Sequence, residues 1–163
     1  MRRLAVLCLT LVASVAPGAT HPMQLGPAEF YWLMDRACVA GDELSVAILL
    51  KAGADPSGPR DYDAFLKKYN KPWEPSWHLI QASHGGQTAV VRLLLAAGAD
   101  PNLAEGEGVT ALTVAAEKGY LEITQLLLEA GADRNYRTPY GTAAELAMRN
   151  GHFEVADAIR SKP

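Results

Sequence analysis

The chain has 163 residues, 49% hydrophobic and 20% charged, with a formal net charge of −3. That length and balance describe one folded domain and exclude a disordered chain. A slightly acidic chain also lacks the basic face that a general nucleic-acid binder needs.

Arg2 and Arg3 open the chain, followed by an apolar run from Leu4 to Val15 and then by Ala16, Pro17, Gly18, Ala19 and Thr20. A short positive segment, an apolar stretch and a small-residue breaker are the layout of a secretory signal peptide. The run is short for a membrane span, which disfavours the alternatives of an anchor or a buried helix. We expect a signal over residues 1–19, cut after Gly18 or Ala19, and a single domain over 20–163. Losing Arg2 and Arg3 leaves 13 basic and 18 acidic side chains, a net of −5. Cys8 falls inside the signal, so Cys38 is left alone. It cannot form an intrachain disulfide, and it stands where a small buried residue is wanted.

Three similar phrases punctuate the rest: Gly53-Ala54-Asp55-Pro56, Gly98-Ala99-Asp100-Pro101 and Gly131-Ala132-Asp133-Arg134. Each follows a leucine-rich run, and the last two are 33 residues apart. The first two are 45 apart, the same step with 12 residues inserted. Twelve residues before each phrase stands another glycine, Gly41, Gly86 or Gly119, preceded by a small pair: Ala37-Cys38, Ala82-Ser83 or Ala115-Ala116. A fourth copy shows Ala147-Met148 and Gly151, then Val155, Ala158 and Ile159.

The small pair lets one helix pack closely on its neighbours, and the glycine suits a left-handed helix end. The Val and Leu positions at i, i+3 and i+4 make the buried stripe of a second helix. Gly-Ala-Asp ends that helix in a turn. Thr110 and Thr142 stand at helix starts, where a hydroxyl caps free amides. Each copy is thus predicted to be helix, turn, helix and hairpin-like loop, and only stacked copies can bury their apolar faces.

This pattern resembles the ankyrin repeat, a 33-residue unit. In the third copy Asp100, Asn102, Gly108, Thr110, Leu112, Ala115, Ala116, Gly119, Ile123, Leu126, Leu127, Gly131 and Asp133 all stand at the family's spacing. The resemblance covers roughly residues 28–161. It implies an all-α solenoid of about four repeats, over 28–55, 56–100, 101–133 and 134–161. The departures are specific. Ala111 and Thr113 replace the usual Pro and His of the start motif, and Trp77 and His78 stand where Thr and Pro are expected. Ala144 replaces Leu, and the first copy has Trp32, Leu33 and Met34 in place of the motif. Atypical end copies are normal caps of a stack.

The insertion between the first and second copies falls in 57–76. Tyr62, Phe65, Leu66 and Tyr69 have helical spacing, which predicts a short helix ended by Pro72 and Pro75. Insertions in solenoids map to one face, often the binding face. Tyr62, Tyr69 and Trp73 would then anchor a partner as interface aromatics do. The alternative is that they fold back over the start of the second copy, and Trp77 is assigned to packing either way.

By the resemblance, loop tips and the ends of the first helices line a concave binding surface. On this chain the helix ends supply His84, Glu117, Lys118 and Arg149, and the tips supply Glu105, Glu107, Tyr136, Arg137 and Tyr140. The glutamates make one part acidic; Tyr136, Arg137 and Tyr140 make the other aromatic and basic.

Catalytic and metal chemistry find little support. His78 and His84 are six apart, not one helical face, and no cysteine pair accompanies them. An enzyme or metal carrier using these two histidines is the weakest alternative. No strained nucleophile elbow and no glycine-rich phosphate loop is present. We therefore expect no cofactor, no metal, and a non-catalytic partner-binding protein. Exported ankyrin-repeat proteins that the chain resembles include immunity proteins that neutralise a secreted toxic enzyme, such as a type VI effector. Others support oxidative-stress defence beside a catalase. A scaffold for envelope proteins is a third possibility.

Overall fold

The computed structural model describes residues 27–58 and 78–161, with side chains from Tyr31 onward. The expected signal peptide, the expected helix within the insertion, and Tyr62, Tyr69, Trp73 and Trp77 lie outside these residues.

Eight helices and two small hairpins make up the described chain. The helices are α1 (Pro27–Ala40), α2 (Glu43–Lys51), α3 (His78–His84), α4 (Thr88–Ala96), α5 (Ala111–Lys118), α6 (Leu121–Glu129), α7 (Ala143–Arg149) and α8 (Phe153–Arg160). Strands β1 (Ala104–Glu105) and β2 (Val109–Thr110) pair antiparallel before α5, with Ala104 opposite Thr110. Strands β3 (Arg137–Thr138) and β4 (Gly141–Thr142) do the same before α7, with Arg137 opposite Thr142. The order is the predicted helix, turn, helix, hairpin.

The first helix of each copy packs on the first helix of the next, giving a layer α1, α3, α5, α7. The second helices make a parallel layer α2, α4, α6, α8. Within each pair the two helices also touch, so the core runs as one seam between the layers. Val46, Leu49, Val90, Val91, Leu94, Ile123, Leu127, Val155 and Ile159 supply the second-layer side of that seam. Truncating Leu127, which is fully buried, to alanine would cost about 3 kcal/mol. Ala37, Cys38, Ala82, Ala115, Ala116 and Ala147 are also buried, and their small size lets the first helices approach one another.

Each first helix ends the same way. Gly41, Gly86, Gly119 and Gly151 have φ of 68, 67, 79 and 79°. The residue after each glycine donates its amide to the carbonyl five residues back, as Tyr120 N–H does to Ala115 at 2.9 Å and His152 N–H to Ala147 at 2.8 Å. That closing bond needs a left-handed residue, which glycine adopts without strain.

The Asp of each Gly-Ala-Asp phrase makes one repeated turn. Asp55, Asp100 and Asp133 each accept, at 2.9 Å, the amide of the residue two further on: Ser57, Asn102 and Asn135. Asn102 then joins neighbouring copies, accepting Asp133 N–H at 2.8 Å and donating to the Gly131 carbonyl at 3.1 Å. Ser57 does the corresponding job one copy earlier, its hydroxyl accepting Asp100 N–H at 3.1 Å. Ser57, the first residue of the expected insertion, therefore belongs to the repeat framework.

Thr110 and Thr142 cap α5 and α7 in reciprocal boxes. Thr110 Oγ1 accepts Thr113 N–H at 3.2 Å while Thr113 Oγ1 accepts Thr110 N–H at 2.9 Å. Thr142 Oγ1 accepts Glu145 N–H at 3.3 Å while Glu145 Oε2 accepts Thr142 N–H at 2.9 Å. Thr113, where the motif has His, thus still closes the helix start.

Candidate functional site

The hairpins and the last turns of the first helices share one face. Between the third and fourth copies this face opens into a groove of about 330 Å³. Val109 and Thr113 line it from β2 and α5, Thr138 and Tyr140 from the β3–β4 hairpin, and Leu146 from α7. Glu117, Arg149 and Asn150 close it at the helix ends. The hairpin before α7 turns through only Pro139 and Tyr140, so Tyr140 is held out at its tip, 53% exposed.

Three contacts orient Tyr140. Its hydroxyl donates to Glu107 Oε2 across the two copies. Its amide donates to Thr138 Oγ1 at 3.0 Å, and its carbonyl accepts Arg149 Nη2 at 2.6 Å. The Glu107 carboxylate favours the protonated phenol and raises the Tyr140 pKa. On the far side of Arg149, Arg137 Nη1 stands 3.5 Å from Glu145 Oε1. The backbone bond from Thr142 and then the two arginine charges hold the Glu145 carboxyl below its usual range.

The structure thus brings Glu107, Glu117, Tyr140 and Arg149 around one groove. Lys118 is exposed in the last turn of α5, next to Glu117 but outside the lining. Tyr136 is half-buried, its hydroxyl packed over Gly108. Glu105 is half-buried opposite Val109 in the first hairpin, so it is not a free tip. His84 is exposed at the end of α3, one copy before the groove's nearer wall. Thr113, Thr138 and Leu146 line the groove without a sequence signal that marks them as site residues. They are buried, so nothing in their type distinguishes groove lining from core.

His78 and His84 are not brought together. They occupy opposite ends of α3, His78 fully buried and His84 exposed. His78 Nδ1 lies 2.7 Å from Asp35 Oδ1, and its ring stacks on Tyr31 at 6.0 Å. Among the described residues no three His, Cys, Asp or Glu side chains cluster as a metal site would require.

A second depression lies between α1 and α3, lined by Asp35, Arg36, Val39, Ala40 and Gln81. Beside it Arg36 stands over the Trp32 ring at 5.3 Å, a cation–π contact at an exposed site.

Paired helices in two layers, hairpins projecting from one edge and an open groove between copies define a repeat solenoid of the protein-binding kind. A family model described as ankyrin repeats, in three copies, matches residues 79–162, more than half of the sequence. The chain belongs to the ankyrin-repeat family. Ankyrin repeats are typically non-catalytic modules that bind other proteins. No curated protein matches the chain significantly.

Proposed function

We propose that this chain is exported to the periplasm and binds one partner enzyme there, neutralising it in the manner of an immunity protein. The observation that carries the reading is the groove beneath Tyr140. A half-exposed aromatic held by three hydrogen bonds is preorganised, and preorganised aromatics make effective interface anchors. The apolar run of Leu4–Val15 behind Arg2 and Arg3 supports export. No helix among the described residues is long and apolar enough to cross a membrane. The insertion carries Tyr62, Tyr69 and Trp73, residue types that anchor interfaces.

The test begins with affinity capture from envelope extract, using the mature chain, a Tyr140→Ala variant and a variant lacking 59–76. That deletion spares Ser57 and its bond to Asp100. One protein should be captured by the parent and lost with at least one variant that still folds. The purified partner should then lose its enzymatic activity on stoichiometric addition of the chain. A captured partner that keeps full activity removes the neutralising role and leaves a binding module. Recovery of an uncut N-terminus from periplasmic protein would remove the cleaved signal.

A further inference from the structure

The two walls of the groove between the third and fourth copies carry charge unequally. On the fourth copy, Arg137 pairs with Glu145, and Arg149 is the one cation that lines the groove among the described residues, its Nη2 committed to the Tyr140 carbonyl. On the third copy, Glu117 makes no ion pair among the described residues. Glu107, at the rim, receives among the described residues only the Tyr140 hydroxyl, a neutral donor that does not offset its charge. Between the carboxylates lies an apolar bed, with Val109 and Leu146 along the groove and the Tyr140 ring beside it.

We infer that this groove seats a basic side chain of the partner protein, arginine by preference. This rests on the reading that the first-helix face binds protein. An arginine offers an apolar stem for Val109 and Leu146. Its planar guanidinium stacks on an aromatic face and meets a carboxylate with paired donors. A volume of about 330 Å³ admits a long side chain but not a helix. An acidic side chain entering here meets two carboxylates, Glu107 and Glu117, against one guanidinium, Arg149, that already donates to the Tyr140 carbonyl. A neutral apolar one would desolvate Glu117 without giving it a partner, which costs free energy.

The test uses the full mature chain, ¹⁵N-labelled, titrated with acetyl-Gly-Arg-Gly-amide and with the same tripeptide carrying citrulline, the uncharged near-isostere. The arginine peptide should shift the backbone amides of Val109, Tyr140 and Asn150 and leave those of Arg92 and Glu122 unmoved. Citrulline should bind at least tenfold more weakly, and Glu117→Gln should erase that difference. Rising salt should weaken only the arginine peptide. Equal shifts from both peptides, shifts confined to other faces, or no shift at these amides would overturn the basic-anchor assignment. Partner capture that depends on Tyr140 would survive any of those results, so failure here and failure of the binding reading are separable. If both fail, the face is not the interface.

Discussion

His78 Nδ1 stands 2.7 Å from Asp35 Oδ1, joining the first residue of α3 in the second copy to α1 of the first. The third and fourth copies have buried alanines, Ala111 and Ala143, at the corresponding first position of the helix. The second copy has a fully buried imidazole instead, and its Nε2 has no hydrogen-bond partner among the described residues. A buried ring with one nitrogen satisfied and one not is a junction whose strength depends on Asp35.

Removing either partner should therefore be costly. His78→Ala or Asp35→Ala should lower stability by about 3 kcal/mol, because each strands its partner, the half-buried carboxylate or the fully buried imidazole. The double variant should lose less than the sum of the two, read by urea unfolding of all four proteins. Additive losses would show that the pair does not couple the copies.

The same carboxyl gives a pH dependence with a definite sign. Burial raises the Asp35 pKa above 3.8, outweighing the opposing pull of His78. A raised folded-state pKa contributes stability that is present below the unfolded value and lost as pH rises through the folded value. Asp35→Asn carries no such term. The parent should thus lose ground against Asp35→Asn between pH 3.5 and pH 7, measured as the difference in urea midpoints. A parent that gains ground over that interval would mean that the His78 interaction dominates burial.

Glycine positions separate backbone strain from packing. Gly119 and Gly131 both have positive φ, 79 and 89°. A methyl group on Gly131 meets nothing within 4 Å, whereas one on Gly119 would stand 2.5 Å from the His152 ring. Gly131→Ala should cost only the left-handed strain, about 1 kcal/mol. Gly119→Ala should cost that strain and the overlap together, roughly 2–4 kcal/mol. His152→Ala placed in the Gly119→Ala background should recover the overlap but not the strain. Equal costs at the two glycines would show that the His152 ring moves aside freely.

The contrast between Gly119 and His78 shows what was legible in the sequence. Gly119, Ala115, Ala116, Leu126 and Leu127 repeat one 33-residue step, and each has a role in its own helix or in the stack. Periodicity therefore exposes them, along with the caps at Thr110 and Thr142. His78 departs from the pattern, and its partner Asp35 lies 43 residues earlier, in the copy that lacks the start motif. No spacing rule links the two. The groove was legible in part. Tyr140 and Glu107 read as loop tips, and Glu117 and Arg149 as helix ends. Only folding reveals that Tyr140 bridges to Glu107 and that Leu146 lines the groove beside them. Such contacts depend on how far adjacent copies are displaced, which composition does not encode.

The α7 cap makes a prediction opposite in sign to that for Asp35. The Glu145 carboxylate accepts Thr142 N–H, which with Arg137 and Arg149 lowers its pKa from 4.5. A lowered folded-state pKa gives stability present above the unfolded value and lost as pH falls through the folded one. The parent's advantage over Glu145→Gln should be present at pH 7 and shrink below pH 4.5. Thr142→Ala removes the other half of the box and should cost about 1 kcal/mol. An advantage that does not change with pH would show that the carboxylate does not act through its charge.

Cys38 offers a direct gauge of the first copy. Its side chain is fully buried, and burial, with the Asp35 charge, pushes its thiol pKa well up. The thiolate is the reactive form, so the folded protein should resist a disulfide reagent at pH 8. Labelling then requires α1 to separate from α2 and α3, the helices it packs on. In a variant lacking residues 1–19, where Cys38 is the one thiol left, the labelling rate reports that opening alone. His78→Ala should accelerate it far more than Thr142→Ala, because the first substitution loosens the junction between the first two copies and the second acts at the opposite end of the stack. Equal acceleration by both would mean that the four copies open together as one unit, with no weaker junction at Asp35 and His78.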